Sequence, residues 1–189
     1  QDPTTPIADT MAELLKIMDE GKIRAIGVSN AGVSDMQKYL ALGRIESNQP
    51  LYNMLDRNIE DEELPFCREH NIAVLSYSSL ALGILTGKIK DKKEYPSSDP
   101  RSYSPRYSYE PMVRINQMLD KFAPYRDKYG LNQTQLTIAW THSQPGITSA
   151  LVGVRTAEHA EENAAAGYVQ ISPEDLAEMD NIIRSVETL

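Results

Sequence analysis

"IRAIGVSN", residues 23–30, is the stretch on which the fold turns. From Ile23 to Val28 the residues are mostly apolar, without the strict in–out alternation of a strand that has one wet face. Such a run suits a strand of a parallel sheet, covered on both sides. Ahead of it, Met11, Leu14, Leu15 and Met18 fall at i, i+3, i+4 and i+7, a single helical face ended by Gly21. Thr5-Pro6 reads as the N-cap and first position of that helix. Behind it, a second helix is expected over 33–42, closed by Gly43, then a short strand near 45–49. A helix over 60–70 and the strand "IAVLSY" (72–77) follow. "SSLALGILTGK" (78–88) carries two glycines that mark a tight turn with exposed backbone. Helices are expected near 111–129 and over 132–144, the second with Asn132 and Gln135 at capping-box spacing. "TSALVG" (148–153) is the fourth strand, "TAEHAEENAAA" (156–166) its helix, and Ser172-Pro173 opens a last helix with Leu176, Met179, Ile183 and Val186 on one face.

Strand–helix repeated four times implies a parallel sheet with helical crossovers. Four βα units are half of an eightfold barrel, which typically needs about 250 residues. The chain therefore reads as α/β, the second half of a (β/α)8 TIM barrel, with two parallel edges that need covering. Residues 1–189 form one domain on this reading, with a flap-like insertion at 89–110. That insertion is polar, with three prolines, four tyrosines and no period; a segment of this kind is a functional lid or disordered.

The composition, 41% hydrophobic and 24% charged over 189 residues, allows one packed core. A net charge of −8 argues against a nucleic-acid surface. The single cysteine, Cys67, cannot form an internal disulfide and fits a reducing compartment. No apolar run reaches the roughly 20 residues of a membrane span, and none reads as a signal peptide. The expectation is a cytoplasmic protein with no nucleic-acid or membrane partner. Gln1 stands where an initiator methionine would, so the chain is expected to start inside something longer or to have been processed. His70, His142 and His159 are not spaced as ligands, so no metal site is expected.

In parallel α/β folds a ligand lies beyond the carboxyl ends of the strands. Those ends carry Ser29-Asn30, Asn48-Gln49, Tyr77-Ser78 and Gly153-Val154-Arg155-Thr156. Each has an ordinary explanation: a helix cap for Ser29-Asn30, loop hydration for Asn48 and Gln49, a rim aromatic for Tyr77. The fourth is the most informative. Gly153 permits close backbone approach, Thr156 can cap the following helix, and Arg155 stands beside a helix N-terminus that already favours an anion. A phosphate suits it, since guanidinium binds phosphate bidentately; the plain alternative is a surface arginine paired with Glu158. Glu162-Asn163 is solvated helix or, equally, one acceptor and one amide able to read an adenine edge.

"TPIADTMAELLKIMDEGKIRAIGVSN", "NQPLYNMLDR", "VLSYSSLALGILTGK" and "LVGVRTAEHAEENAAA" resemble, in order and spacing, the C-terminal half of the aldo-keto reductases. The subgroup most similar is a bacterial one with a "DPRSYSPRY"-like loop after the seventh strand. The resemblance implies a (β/α)8 oxidoreductase that uses NADP(H) to reduce aldehydes or ketones. It further implies that Ser29, Asn30 and Gln49 hydrogen-bond the nicotinamide carboxamide and that Tyr77 stacks on the nicotinamide ring. Ser78, Leu80, Gly83, Leu85 and Gly87 lie along the pyrophosphate, with Lys88 as its counter-charge. Gly153, Arg155, Thr156, His159, Glu162 and Asn163 hold the adenosine 2′-phosphate and adenine. His159 departs from the family, where glutamine or arginine is common.

The family's catalytic aspartate, tyrosine, lysine and histidine lie on the first four strands and their loops, and no residue here matches any of them. The resemblance thus implies a cofactor-binding half without its acid, whose partner is the missing N-terminal half or another copy of itself, and whose substrate is a small carbonyl compound. Two further readings stand beside it: a non-catalytic nicotinamide-nucleotide-binding module, and a structural half-barrel in which the polar strand ends are only caps.

Overall fold

Four parallel strands lie side by side in the order of the sequence: β1 (Gly27–Ser29), β2 (Ser47–Gln49), β3 (Ala73–Ser76) and β4 (Ser149–Ala150). The computed structural model describes residue 2, residues 4–91 and residues 93–186. Helix α1 (Ile7–Asp19) precedes the sheet, and α2 (Val33–Leu40), α3 (Glu63–Glu69), α6 (Gln133–Ser143) and α7 (Ala157–Ala166) follow the four strands. Between β3 and α6 run α4 (Tyr109–Asp120) and α5 (Ala123–Tyr129), and α8 (Pro173–Arg184) comes last. The four βα units have the parallel, helix-connected form expected of the second half of a barrel.

The register explains why half a barrel has two unlike faces. Gly27 pairs with Ser47 and Ser47 with Ala73, Ser29 pairs with Gln49, and Leu75 pairs with Ser149. Side chains alternate along a strand, so these residues share one face, while Val28, Asn48, Val74 and Ser76 share the other. On the second face Asn48, Val74 and Ser76 are buried, and α3 packs on β3 and α6 on β4. Among the described residues no helix covers the first face: Gly27 and Ser29 are exposed and the rest half-buried. The core lies on the helical side, around Met11, Met36, Ile84, Ile115, Leu136 and Trp140, all with no exposed surface.

Several elements differ from expectation. The strands are two to four residues long, because β1 and β4 each have one neighbour and the ladder extends only where partners face. Ile23 and Ile26 lie ahead of β1 and still join the core, the Ile26 carbonyl accepting from Glu46 N at 2.7 Å. The helix expected over 111–129 is broken in two at Phe122, since Pro124 sits in the first turn of α5 and would remove a hydrogen bond from a continuous helix. Thr5 does not cap α1: Pro6 holds the N-cap position and the Thr5 hydroxyl donates to Asp2 at 2.7 Å. The caps at the starts of α6, α7 and α8 form as read, whereas Gly32, not Ser29-Asn30, holds the N-cap position of α2. Asn132 and Gln135 make a full capping box, and Thr156 and Ser172 accept from His159 N and Asp175 N.

The insertion is not free along its whole length. Two 3-10 turns, Pro100–Ser102 and Pro105–Tyr107, lead into α4. Tyr107 is buried, Arg106 grips Asp56 through both terminal nitrogens at 2.7 Å, and Tyr95 meets Tyr107 edge-on at 5.6 Å. Tyr103 and Tyr109 are exposed.

Candidate functional site

At the carboxyl end of the sheet, β1 stops at Ser29 and the chain turns through Asn30 with φ of 51°, a conformation that asparagine tolerates better than most residues. The turn is braced from the neighbouring strand. Ser29 Oγ donates to the Gln49 carbonyl at 2.8 Å, and Asn30 N donates to the same oxygen at 3.1 Å. Asn48, buried on the helical face, donates from Nδ2 to the Ala31 carbonyl at 3.0 Å. Tyr77, which follows β3 directly and bridges to Leu51, donates its hydroxyl to Asn30 Oδ1 at 3.1 Å. Ser29, Asn30, Gln49 and Tyr77 thus form one cluster. Within it the side-chain amide of Gln49 and Nδ2 of Asn30 make no hydrogen bond among the described residues. A cleft of about 200 Å³ opens beside Asn30, Leu51 and Asp56.

Ser78 begins the turn into a 3-10 segment, Ala81–Thr86, whose backbone is interrupted at Leu82 and Gly83. Gly83 has φ of 97° and Gly87 of 69°, so both glycines stand where the backbone requires them. Leu80 is half-buried and Leu85 fully buried, so their contribution to this edge is through the main chain. Thr86 Oγ1 donates to the Gly83 carbonyl at 2.7 Å and accepts from Lys88 N at 3.2 Å, leaving the Lys88 side chain exposed.

The fourth strand end stands apart. Ser79 Oγ reaches the Leu151 carbonyl at 3.3 Å, but no hydrogen bond among the described residues joins Gly153–His159 to the first cluster. Gly153 is exposed, with open space where a Cβ would stand. Arg155 is exposed immediately before the N-terminus of α7, and no ion pair among the described residues links it to Glu158. Its charge is felt by Asp99 in the insertion, whose carboxyl is held at about 2, first by hydrogen bonds from Arg101 and last by Arg155. His159 is exposed; its backbone N–H, not its ring, makes the cap. Glu162 is turned toward α6, where the Asn132 side-chain amide donates to its carboxylate and Gln135 Nε2 donates to its carbonyl at 3.1 Å. Asn163 lines a cleft along the open edge of β4 with His142 and Val154.

Three tyrosines of the described chain are committed away from acid chemistry. Tyr52 has no exposed surface; burial, then the carboxylate of Glu60 at 2.6 Å, push its hydroxyl far above the usual range. Burial lifts Tyr107 to about 12, and Tyr77 is bound to Asn30. The Cys67 thiol is buried and pushed up to about 11, which leaves it protonated and inert. Among the described residues no three His, Cys, Asp or Glu side chains converge as a metal site would require. No helix of these residues is long and apolar enough to cross a membrane. The braces Asn53 and Asp56 were not singled out from the sequence; the one local signal was their spacing, which suits an Asx turn.

A family model described as the aldo/keto reductase family matches residues 1–184. The chain belongs to that family. It is 35% identical over 183 residues to the NADH-specific methylglyoxal reductase of Escherichia coli, covering 97% of this chain and 56% of the relative. It is 32% identical over 188 residues to the aldo-keto reductase YhdN of Bacillus subtilis, with 97% and 56% covered. Among solved structures, the glycerol dehydrogenase AKR11B4 from Gluconobacter oxydans superposes with a TM-score of 0.91 at 29% identity, covering 98% of this chain and 56% of that one. This aldo/keto reductase chain therefore spans about half the length of the relatives it matches. Its four-stranded sheet is the corresponding half of their (β/α)8 barrel.

Proposed function

We propose that this chain is the cofactor-holding half of an NADP(H)-dependent carbonyl reductase acting in the cytoplasm on small aldehydes or ketones. The observation that carries the reading is the bonded cluster at the ends of β1, β2 and β3. There Nδ2 of Asn30 and the side-chain amide of Gln49 stay unengaged among the described residues beside the half-buried ring of Tyr77, whose hydroxyl takes Asn30 Oδ1. A primary carboxamide needs one acceptor and one donor in its plane, and two side-chain amides offer both. A reduced nicotinamide, when bound, supplies hydride to a carbonyl carbon. On this reading Ser29, Asn30 and Gln49 orient it, Tyr77 covers one ring face, and the main chain of Ser78–Gly87 with Lys88 lies along the pyrophosphate. Gly153, Arg155 and Thr156 meet the adenosine phosphate. Glu162 is the weakest of the set, since its carboxylate already serves Asn132. The proton donor lies outside this chain, supplied by the remainder of the barrel or by association at the open edges of β1 and β4.

A preference for NADH is the second reading. It is favoured by the name of the Escherichia coli relative and by the Asp99 carboxylate within electrostatic reach of Arg155, which would oppose a 2′-phosphate. Titrating NADPH and NADH against the wild type and Arg155→Ala separates them. If the 2′-phosphate is bound, the variant loses about 1.5–3 kcal/mol for NADPH, the value of hydrogen bonds to charged groups, toward the low end because Arg155 is exposed; NADH is nearly unchanged. Equal loss for both makes Arg155 structural.

A further inference from the structure

Arg106 and Tyr107 are neighbours in the insertion; Tyr107 bonds one end of the turn that begins at Ser78, and Arg106 is linked to the other end through Asp56 and Asn53. That turn has left-handed backbone at four places: φ is 59° at Ser78, 46° at Ala81, 57° at Leu82 and 97° at Gly83. Only the last is glycine. For the other three, the Cβ crowds a carbonyl oxygen, and such a conformation persists only where its surroundings over-determine it.

The surroundings here come largely from the insertion. At the far end, the Tyr107 hydroxyl donates to the Leu82 carbonyl at 2.8 Å, with the Ala81 carbonyl at 3.4 Å. At the near end, Asn53, with no exposed surface, donates from Nδ2 to the Ser78 carbonyl at 3.0 Å and to Asp56 Oδ2 at 2.9 Å. Arg106 grips that same Asp56 carboxylate bidentately and donates to the Leu55 carbonyl at 3.0 Å. The Tyr107 ring is steadied by Tyr95, over which Arg101 lies at 4.2 Å.

We propose that Arg106 and Tyr107 are positioning residues that clamp the turn of residues 78–83 at two points, and that through this clamp the insertion sets the affinity for a dinucleotide's pyrophosphate without touching it. The proposal rests on the reading of Ser78–Lys88 as the pyrophosphate segment. Release of the Leu82 carbonyl lets Ala81 and Leu82 return to negative φ, which breaks the bonds by which Ala81 N and Gly83 N donate to the Ser78 and Leu80 carbonyls at 2.8 and 2.9 Å and turns the flanking peptide planes, so the N–H groups of the turn change direction. Only a ligand group that lies on those N–H groups senses the change.

The test uses Tyr107→Phe, which keeps the ring, and Arg106→Lys, which keeps the charge but loses the fork. Calorimetric titration compares ADP-ribose, which contains the pyrophosphate, with adenosine 2′-monophosphate, which does not. Each variant is expected to weaken ADP-ribose about tenfold and to leave the monophosphate within about twofold, at unchanged circular dichroism. Amide hydrogen exchange of residues 79–85 is expected to accelerate in both. Wild-type affinity for ADP-ribose in either variant, or equal weakening of both nucleotides, overturns the proposal. Should the wild type bind neither nucleotide, the pyrophosphate reading fails, and with it the proposed effect on affinity. Exchange then judges the clamp alone: acceleration confined to 79–85 supports it, and unchanged exchange overturns it.

Discussion

Arg57→Met should destabilise the fold far more than the loss of any exposed charge. The Arg57 side chain is 9% exposed and makes four hydrogen bonds: Nε and Nη2 to Glu60 at 2.7 and 3.0 Å, Nη1 and Nη2 to Asp180 at 3.1 and 2.8 Å. Its guanidinium lies 5.3 Å from the centre of the Trp140 ring, which stacks on Tyr52. The bond to Asp180 ties α8 to the segment ahead of α3, across more than half the chain. Burial opposes the charge on Arg57, and the two carboxylates outweigh it, so its pKa rises. Methionine fills most of the volume but leaves Glu60 and Asp180 facing each other. Breaking a buried pair costs about 3–5 kcal/mol. Because Glu60 and Asp180 are 23% and 25% exposed, water recovers part of that, and about 2–4 kcal/mol is expected. At about 2–4 °C per kcal/mol for a chain of this size, the melting temperature should fall by roughly 6–12 °C for a loss of about 3 kcal/mol. Thermal and urea unfolding followed by circular dichroism measure it, with Lys16→Met as control, since the Lys16–Glu13 pair is 63% and 70% exposed. The loss at Arg57 should persist in molar salt, where exposed pairs are screened. Stability equal to the control, or a loss abolished by salt, would refute the reasoning.

The Arg106–Asp56 pair predicts an acid-labile insertion. Burial pushes the Asp56 carboxyl up, but Arg106 and Asn53 outweigh it and hold it below its ordinary value. Its contribution is therefore complete above the unfolded value of about 3.9 and is lost as pH falls through the folded one; hydrogen exchange of residues 95–107 should stay slow at pH 5 and quicken below pH 4, whereas quickening already near pH 6 would contradict it. Asn132→Ala removes the side-chain half of the capping box of α6, the bond accepted from Gln135 N at 2.9 Å, while the backbone N–H of residue 132 keeps its bond to Gln135 Oε1; the loss should cost about 1 kcal/mol in urea unfolding, and no measurable change would mean that packing alone sets that helix end. The 189-residue chain by itself should not reduce simple aldehydes with NADPH, because on the proposed reading the general acid, which typically contributes about 10²–10⁴-fold, is supplied from outside it. Turnover by the homogeneous chain would sink that view, and turnover only on mixing with a first half of the barrel would support it.

What the sequence determined by itself was whatever depends on residues within a few positions of one another. The helical face Met11–Leu14–Leu15–Met18, the Asn132–Gln135 box, the Thr156 and Ser172 caps and the apolar runs at 23–28 and 72–77 are local signals, and the parallel order follows from strands alternating with helices. Strand ends are also local, so Ser29, Asn30, Gln49, Tyr77 and Gly153–Thr156 were legible as candidates. Contacts between distant segments were decided only by the tertiary structure. Tyr52 looks like any rim tyrosine until Glu60 and Trp140 close over it. Glu162 looks solvent-facing until Asn132 takes its carboxylate. The insertion lacks any period because its anchors, Arg106 and Tyr107, bond to Asp56 and Leu82 on earlier segments. Nothing near residues 106 and 107 in sequence records those partners; hydrogen bonds made across dozens of residues exist only once the sheet has brought the strand ends side by side.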